Sequence, residues 1–337
     1  FLDYEPISQL VTKETEVTRA RFPAIDGHNH LRRVVHDPGL ISEYVEAMDE
    51  CNVQAVVDLD GGCGEHLSQR LDAFVKFPGR FHVFCHVDMS DVDDPSFSDK
   101  AVAELEDSVR RGAKGLKLFK SLGLAVKTRD GKYLPIDTPK LDPIWARCGE
   151  LGIPVLIHTG DPAAFFTPLD RHNERLRELA DHPNWLFVDE EYYTKAELLE
   201  QRNRVVERHP NTMFIGAHVA SLPENLSQVR KWLDAYPNLY VDISARLSEL
   251  GRQPYSARKF FIDYADRIIF GTDGNAMGQS LTRMYRLHWR FLETYDEYFD
   301  ITESHKVQGD WRVYGMGLPD NVLKKVYNKN ILKLLEG

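Results

Sequence analysis

Eight short apolar, β-branched runs recur along the chain, and stretches of helical period fill the gaps between them. The runs are PAID (23–26), VQAVVDL (53–59), RFHVFCHV (80–87), GLKLF (115–119), IPVLIH (153–158), TMFIGAH (212–218), LYVDIS (239–244) and RIIFGTD (267–273). Such alternation marks βαβ units and a parallel sheet. Eight strands, each followed by a helix, close most simply into a (β/α)8 TIM barrel. An open doubly wound sheet is the alternative, but it usually has fewer strands, and neither common Gly-rich phosphate loop occurs here. The expected fold is therefore α/β, a single barrel over about 23–337 with an N-terminal extension at 1–22. A length of 337 residues suits one such barrel with insertions. There is no internal repeat, low-complexity tract or domain linker.

The helices are legible from spacing. Ile41, Tyr44, Val45 and Met48 share one face, as do Val102, Leu105 and Val109, then Leu141, Ile144, Trp145, Cys148 and Leu151, then Leu226, Val229, Leu233 and Tyr236. Thr138-Pro139 places a cap before a first-turn proline, and Ser221 to Glu224 has capping-box spacing. A last helix is expected near 319–335. Three connections are too long for simple βα loops: Lys120–Thr138, whose 127–134 part reads as a hairpin turning at Asp130-Gly131, Thr159–Thr194, and the aromatic-rich Gly274–Leu318. They follow strands four, five and eight at the strands' C-terminal ends. That end is the catalytic face of such barrels, so the insertions are expected to wall or roof a site.

The chain is 42% hydrophobic and 28% charged, the composition of a soluble globular protein. No apolar run is long enough to span a membrane. A formal net charge of −10 argues against nucleic acid and anionic membranes as partners but says nothing about a small-molecule substrate, which is the partner expected on other grounds, with self-association open. Cys51, Cys63, Cys85 and Cys148 lack CxxC spacing, and Cys85 and Cys148 read as small buried hydrophobes. A start at Phe1 fits a trimmed chain or a removed signal peptide, so cytoplasmic and exported locations both stay open.

The candidate chemistry sits where strands end. His28 and His30 follow strand one at i and i+2, so their side chains point the same way, a spacing usable by one metal ion. By itself an HxH pair is weak evidence in a chain with 13 histidines. Its position strengthens it: His158 ends strand five, His218 ends strand six and Asp273 ends strand eight, so all point into one mouth. Three imidazoles and a carboxylate suit a borderline-soft divalent ion, most simply Zn2+, with Mn2+ or another ion as the alternative. Water at an open position would fall in pKa from about 15.7 toward about 7 and become a nucleophile.

With His28-x-His30 after strand one, His158 in VLIHTG, His218 in FIGAH, Asp273 in FGTD and a closing VYNKNILKLL, the sequence resembles the amidohydrolase superfamily. The likeness is to its amidohydrolase-related branch, which also contains metal-dependent decarboxylases of aromatic and unsaturated acids. It runs from about residue 23 to the C-terminus, and its motifs are specific in combination. The resemblance implies one divalent metal held by His28, His30, His158 and Asp273. His218 would polarise the scissile group or move a proton, and Asp273 would also accept a proton. Members with two metals carry a carboxylated lysine ending strand four. Lys117 lies near that place, but this branch usually works with one metal and an unmodified lysine, so Lys117 is left out of the metal shell.

Each residue also has a structural reading. His28 and His30 could sit in a polar turn, His158 in a core, and His218 behind the ligands as an orienting group. Asp273 could cap a helix or make an Asx turn, since Gly274 and Asn275 follow. His182-Pro183 and His209-Pro210 read as helix-end turns. His66, His172, His288 and His305 are expected to be exposed, and His82 and His86 flank strand three. Lys117 and Arg246, at or just past strand ends, suit a substrate carboxylate; the alternative is an ion pair with Asp242 or Glu190. Trp289 and Trp311 could stack on a planar substrate or pack structurally. The expected reaction is hydrolysis of a C–N or C–O bond (amide, lactone or ester) in a small acidic or cyclic molecule. The alternatives are decarboxylation with the same ligands, and a non-catalytic barrel that only binds.

Overall fold

The computed structural model describes residues 7–302, 308–309 and 311–336; His305 and parts of the N-terminal extension and third insertion lie outside these. Eight strands form one sheet in sequence order: β1 (Ala24–Asn29), β2 (Val53–Asp58), β3 (Phe81–Cys85), β4 (Gly115–Leu118), β5 (Val155–Ile157), β6 (Phe214–Gly216), β7 (Leu239–Asp242) and β8 (Ile268–Ile269). Every neighbouring pair is parallel. The ring closes between β8 and β1, where Gly27 N–H donates to Phe270 O at 2.9 Å and Asp273 N–H to His28 O at 2.7 Å. This is the (β/α)8 barrel that the alternation predicts.

Two apolar layers follow from that closure. Side chains pointing inward, among them Ile25, Val57, Phe84, Leu156, Ile215 and Ile269, fill the barrel. Ile331 and Leu334 of the last helix join them, so the C-terminal helix packs against the barrel interior. The outward faces pack under helices such as Pro38–Cys51, Phe97–Arg111 and Asp142–Glu150. Among the described residues, no helix is long and apolar enough to cross a membrane.

Several local expectations need correction. The last helix is interrupted: Asp320–Lys324 and Asn330–Leu335 flank a π-helical turn at Lys325–Lys329. Phe270 N–H donates to the Val326 carbonyl at 2.9 Å inside this turn, and the Asn330 amide donates to Ala265 O and Ile268 O, so the turn serves strand β8 as well as the helix. Ser221 begins no capping box. It has φ 57°, and the helix Leu226–Ala235 is capped by Asn225. The capping box lies instead at Thr194 and Glu197, before Lys195–Arg208. His182 and His209 do end helices, whereas His288 is buried rather than exposed.

The third insertion contains the helix Gln279–Glu293, which packs against Pro38–Cys51 on the outside of the barrel rather than over its mouth. This is the place of an eighth barrel helix, and it explains the aromatic content. Trp289 is fully buried among Phe270, Tyr285 and Tyr327. Trp311 lies under the guanidinium of Arg252, with centroid 3.5 Å from Cζ.

Candidate active site

His28 and His30 leave the end of β1 on the same side, as the i, i+2 spacing requires. His28 Nδ1 lies 2.8 Å from Asp242 Oδ2, and His30 Nδ1 lies 2.7 Å from Asp60 Oδ1. Each carboxylate takes the Nδ1 proton, which fixes the tautomer and turns an unprotonated Nε2 outward. Both Nε2 atoms face the same oxygen: Asp273 Oδ1 is 3.3 Å from that of His28 and 3.1 Å from that of His30. Three lone-pair donors aimed at one point repel unless a proton or cation sits among them. The buried His28 Nε2 has no hydrogen-bond partner. The donor set therefore fits a divalent ion, two imidazoles and one carboxylate.

A second group, His28, His218 and Asp242, also has its polar atoms close together. Its chemistry is different. Asp242 Oδ1 already accepts from His218 N–H at 2.9 Å, Ser244 N–H at 3.0 Å and the Ser244 hydroxyl at 2.5 Å, while Oδ2 takes His28. Despite full burial, its pairing with His28 holds its pKa below the ordinary carboxylate range. Asp242 is thus an anchor for both histidines rather than an open ligand. The Asp242→Asn variant is expected to weaken divalent-metal binding about 10–100-fold, the usual cost of losing an orienting carboxylate. Competition against a chromophoric chelator measures this, and an unchanged affinity would remove Asp242 from the site's support.

The strand ends carry unusual backbone. His218, Val219, Ala220 and Ser221 all have φ between 53 and 58°, forming a left-handed turn after β6, and Ala245 (φ 52°) and Asp273 (φ 58°) share that conformation. A left-handed residue costs roughly 1–2 kcal/mol without glycine, and such strain collects at functional sites. Here the turn aims His218 into the mouth. The Asp242 bond to the His218 amide and the buried Arg202, donating to Ala220 O at 3.0 Å, hold it there. His218 Nδ1 donates to Ser244 O at 2.9 Å, so Nε2 carries a free lone pair. Burial, with Arg246 and His158 nearby, lowers the His218 pKa far below that of free imidazole, and the ring is neutral. Gly271 provides room on the other side, since a Cβ there would stand 2.9 Å from His28 Cβ.

His158 ends β5, as predicted, with its ring centroid 4.4 Å from that of His218. Its buried Nε2 has no hydrogen-bond partner and lies 3.6 Å from Asp161 Oδ1. Burial pushes its pKa down to about 4, leaving a neutral donor. It stands outside the trio of His28, His30 and Asp273. Asp161 also pairs with Lys120, whose ammonium lies over the rings of Trp185 and Phe187 of the second insertion.

Two buried cations face this centre without acidic partners among the described residues. Lys117, in β4, is 2% exposed, and its Nζ makes no hydrogen bond. Burial lowers its pKa to about 8, even though Asp273, Asp242 and Asp60 pull the other way. Arg246 is 5% exposed; its Nη1 donates to Ala245 O at 2.6 Å, and its Nε has no partner. Neither pairs with Asp242, which is committed to His28, nor with the exposed Glu190. A cleft of about 530 Å³ lies elsewhere, lined by residues including Thr12, Thr15, Arg286 and Tyr298. It holds none of the converging histidines, and the chemistry belongs to the barrel mouth.

The family model described as "Amidohydrolase" matches residues 25–337. No curated protein matches the chain. Among solved structures, an uncharacterized TIM-barrel protein from Bordetella bronchiseptica is 15% identical, with TM-score 0.56 over 93% of this chain and 98% of that one. A Pseudomonas putida protein provisionally ascribed 2-pyrone-4,6-dicarboxylic acid hydrolysis is 13% identical, with TM-score 0.52 over 94% and 98%. A zinc-bound amidohydrolase from Burkholderia multivorans is 12% identical, with TM-score 0.52 over 93% and 99%. At these identities the likeness to the three structures is one of fold.

Proposed function

The chain belongs to the amidohydrolase family, a family of metal-dependent hydrolases and related decarboxylases, and on that premise we propose that it is a zinc-dependent hydrolase of a small anionic or cyclic molecule. The observation that carries the reading is the meeting of His28 Nε2, His30 Nε2 and Asp273 Oδ1 at one point, with Asp242 and Asp60 behind the two rings. His158, whose buried Nε2 has no partner, takes the fourth ligand place. A divalent ion held by these four would supply Lewis acidity and a water acidic enough to ionise near neutral pH.

The remaining work falls to the chain's own groups. The free oxygen of Asp273 accepts a proton from the attacking water. His218 Nε2, neutral and unprotonated, lies across from His158 and moves a proton at the scissile group. Lys117 and Arg246 lack acidic partners, and a buried cation without one favours a substrate carboxylate over a neutral group. The Pseudomonas protein's ascribed substrate, a cyclic ester bearing two carboxylates, is of this type.

The test is a screen of lactones, amides and aromatic acids in 18O-labelled water with zinc-loaded protein. Label in a carboxylate product, without carbon dioxide, is the expected result. Carbon dioxide released without net incorporation of water would make the enzyme a decarboxylase, and a protein without stoichiometric metal or turnover would be a binding barrel. With a substrate in hand, Arg246→Met is expected to raise KM for the acid by roughly tenfold or more while leaving its amide analogue little changed, because the lost interaction is charge-specific. Equal effects on both would make Arg246 structural.

A further inference from the structure

Behind Arg246 lies a buried ionic cluster whose pairing is uneven. Arg175, 1% exposed, comes from the second insertion, and Arg246, Ser248 and Glu249 from the segment after β7. Arg175 Nη1 donates to Glu178 Oε2 at 2.6 Å. Its Nη2 pairs with Glu249 and reaches Ser248 Oγ at 3.4 Å, while the Ser248 hydroxyl donates to the other Glu249 oxygen at 2.8 Å. Two arginines and two glutamates balance formally. Yet both carboxylates go to Arg175, and among the described residues Arg246 has neither, although both glutamates are near enough to feel its charge.

That division is not the cheapest for a closed cluster. A buried guanidinium without a counterion is costly, and Glu249 is three residues away on the same short segment. Arg175 can prevent the pairing because its planar fork holds one carboxylate on each side. Its guanidinium also lies 5.2 Å from the ring of Trp311, on the third insertion, which limits its movement.

We propose that Arg175 is a positioning residue: by engaging Glu249, with Glu178 beside it, it keeps both carboxylates off Arg246 and so reserves the Arg246 guanidinium for an anionic group of the substrate. The proposal rests on the reading of Arg246 as the anion contact. It adds that the specificity of the site depends on a residue that need not touch the substrate.

Benzoate and its neutral analogue benzamide serve as probes of the zinc-loaded full chain, with affinities read by calorimetry. Wild type is expected to prefer benzoate, and R246M to lose that preference. R175M should weaken benzoate by about tenfold, the scale of one buried charge contact, with benzamide unchanged. R175M/E178Q/E249Q should return benzoate to within about threefold of wild type, because the two released side chains no longer neutralise Arg246. Crystals of R175M should show the Glu249 carboxylate in hydrogen-bond distance of Arg246. If R175M does not fold, R175K and R175K/E178Q/E249Q replace it; lysine keeps the charge but not the two-sided fork, and the same ordering is expected with smaller amplitude. If R246M abolishes the preference but the Arg175 variants leave benzoate binding intact, or if removing both glutamate charges fails to restore it, the proposal is overturned while Arg246 keeps its role. Equal binding of both probes by wild type would instead overturn the anion reading itself.

Discussion

Replacing Asp273 by asparagine is expected to leave the protein folded and strip it of stoichiometric zinc. Asparagine is the informative choice because Asp273 has φ 58°. Alanine there would add the strain of a left-handed backbone to the loss of a ligand, whereas asparagine tolerates that conformation. The substitution removes one negative charge from a point faced by His28 Nε2 at 3.3 Å and His30 Nε2 at 3.1 Å. A direct ligand should cost more than an orienting residue, whose loss is typically 10–100-fold in affinity. Zinc retained after dialysis against a chelator, at a strength that leaves wild type loaded, should therefore fall by at least about tenfold, and turnover with it. Wild-type zinc content in this variant would remove Asp273 from the ligand set.

His218→Asn is expected to separate chemistry from metal binding. His218 shares the left-handed conformation, so asparagine again avoids added strain. Its Nδ1 is committed to Ser244 O, and its backbone N–H to Asp242. Loss of the ring leaves the Asp242 bond to His28 in place and removes the free Nε2. Turnover should fall about 10²–10⁴-fold, the usual range for a proton-transfer group, while zinc content stays near wild type. The pH–rate profile should also lose the limb that this histidine sets. If zinc disappears together with activity, His218 is a ligand and the division of labour between it and His158 is wrong.

The parts of this site that were legible in the sequence are those fixed by strand periodicity. The i, i+2 pair at the end of β1 and the polar residues ending β5, β6 and β8 had to meet once eight parallel strands closed. The supporting carboxylates were harder to see. Asp242 reads as one polar residue within LYVDIS, and nothing in a single sequence says that it faces His28 across the barrel. Asp60 left a faint signal: Asp58 and Asp60 end strand two at i, i+2, the spacing used for the histidines, but a single sequence shows no partner for either. The left-handed turn at 218–221 was illegible because it uses histidine, valine, alanine and serine where local preference calls for glycine. It is held by Asp242 and Arg202, which are distant in sequence. Trp289 stayed open for the opposite reason, since an aromatic-rich insertion can be a pocket wall or a packed helix, and only its contacts decide.

The central claim is where the ion sits. Diffraction from crystals of the zinc-loaded protein, measured on both sides of the zinc absorption edge, tests it directly. The expected result is one anomalous peak per chain, about 2.0–2.2 Å from His28 Nε2, His30 Nε2, His158 Nε2 and an Asp273 oxygen. A peak among His28, His218 and Asp242 instead, or no peak in protein that turns over substrate, would contradict the account.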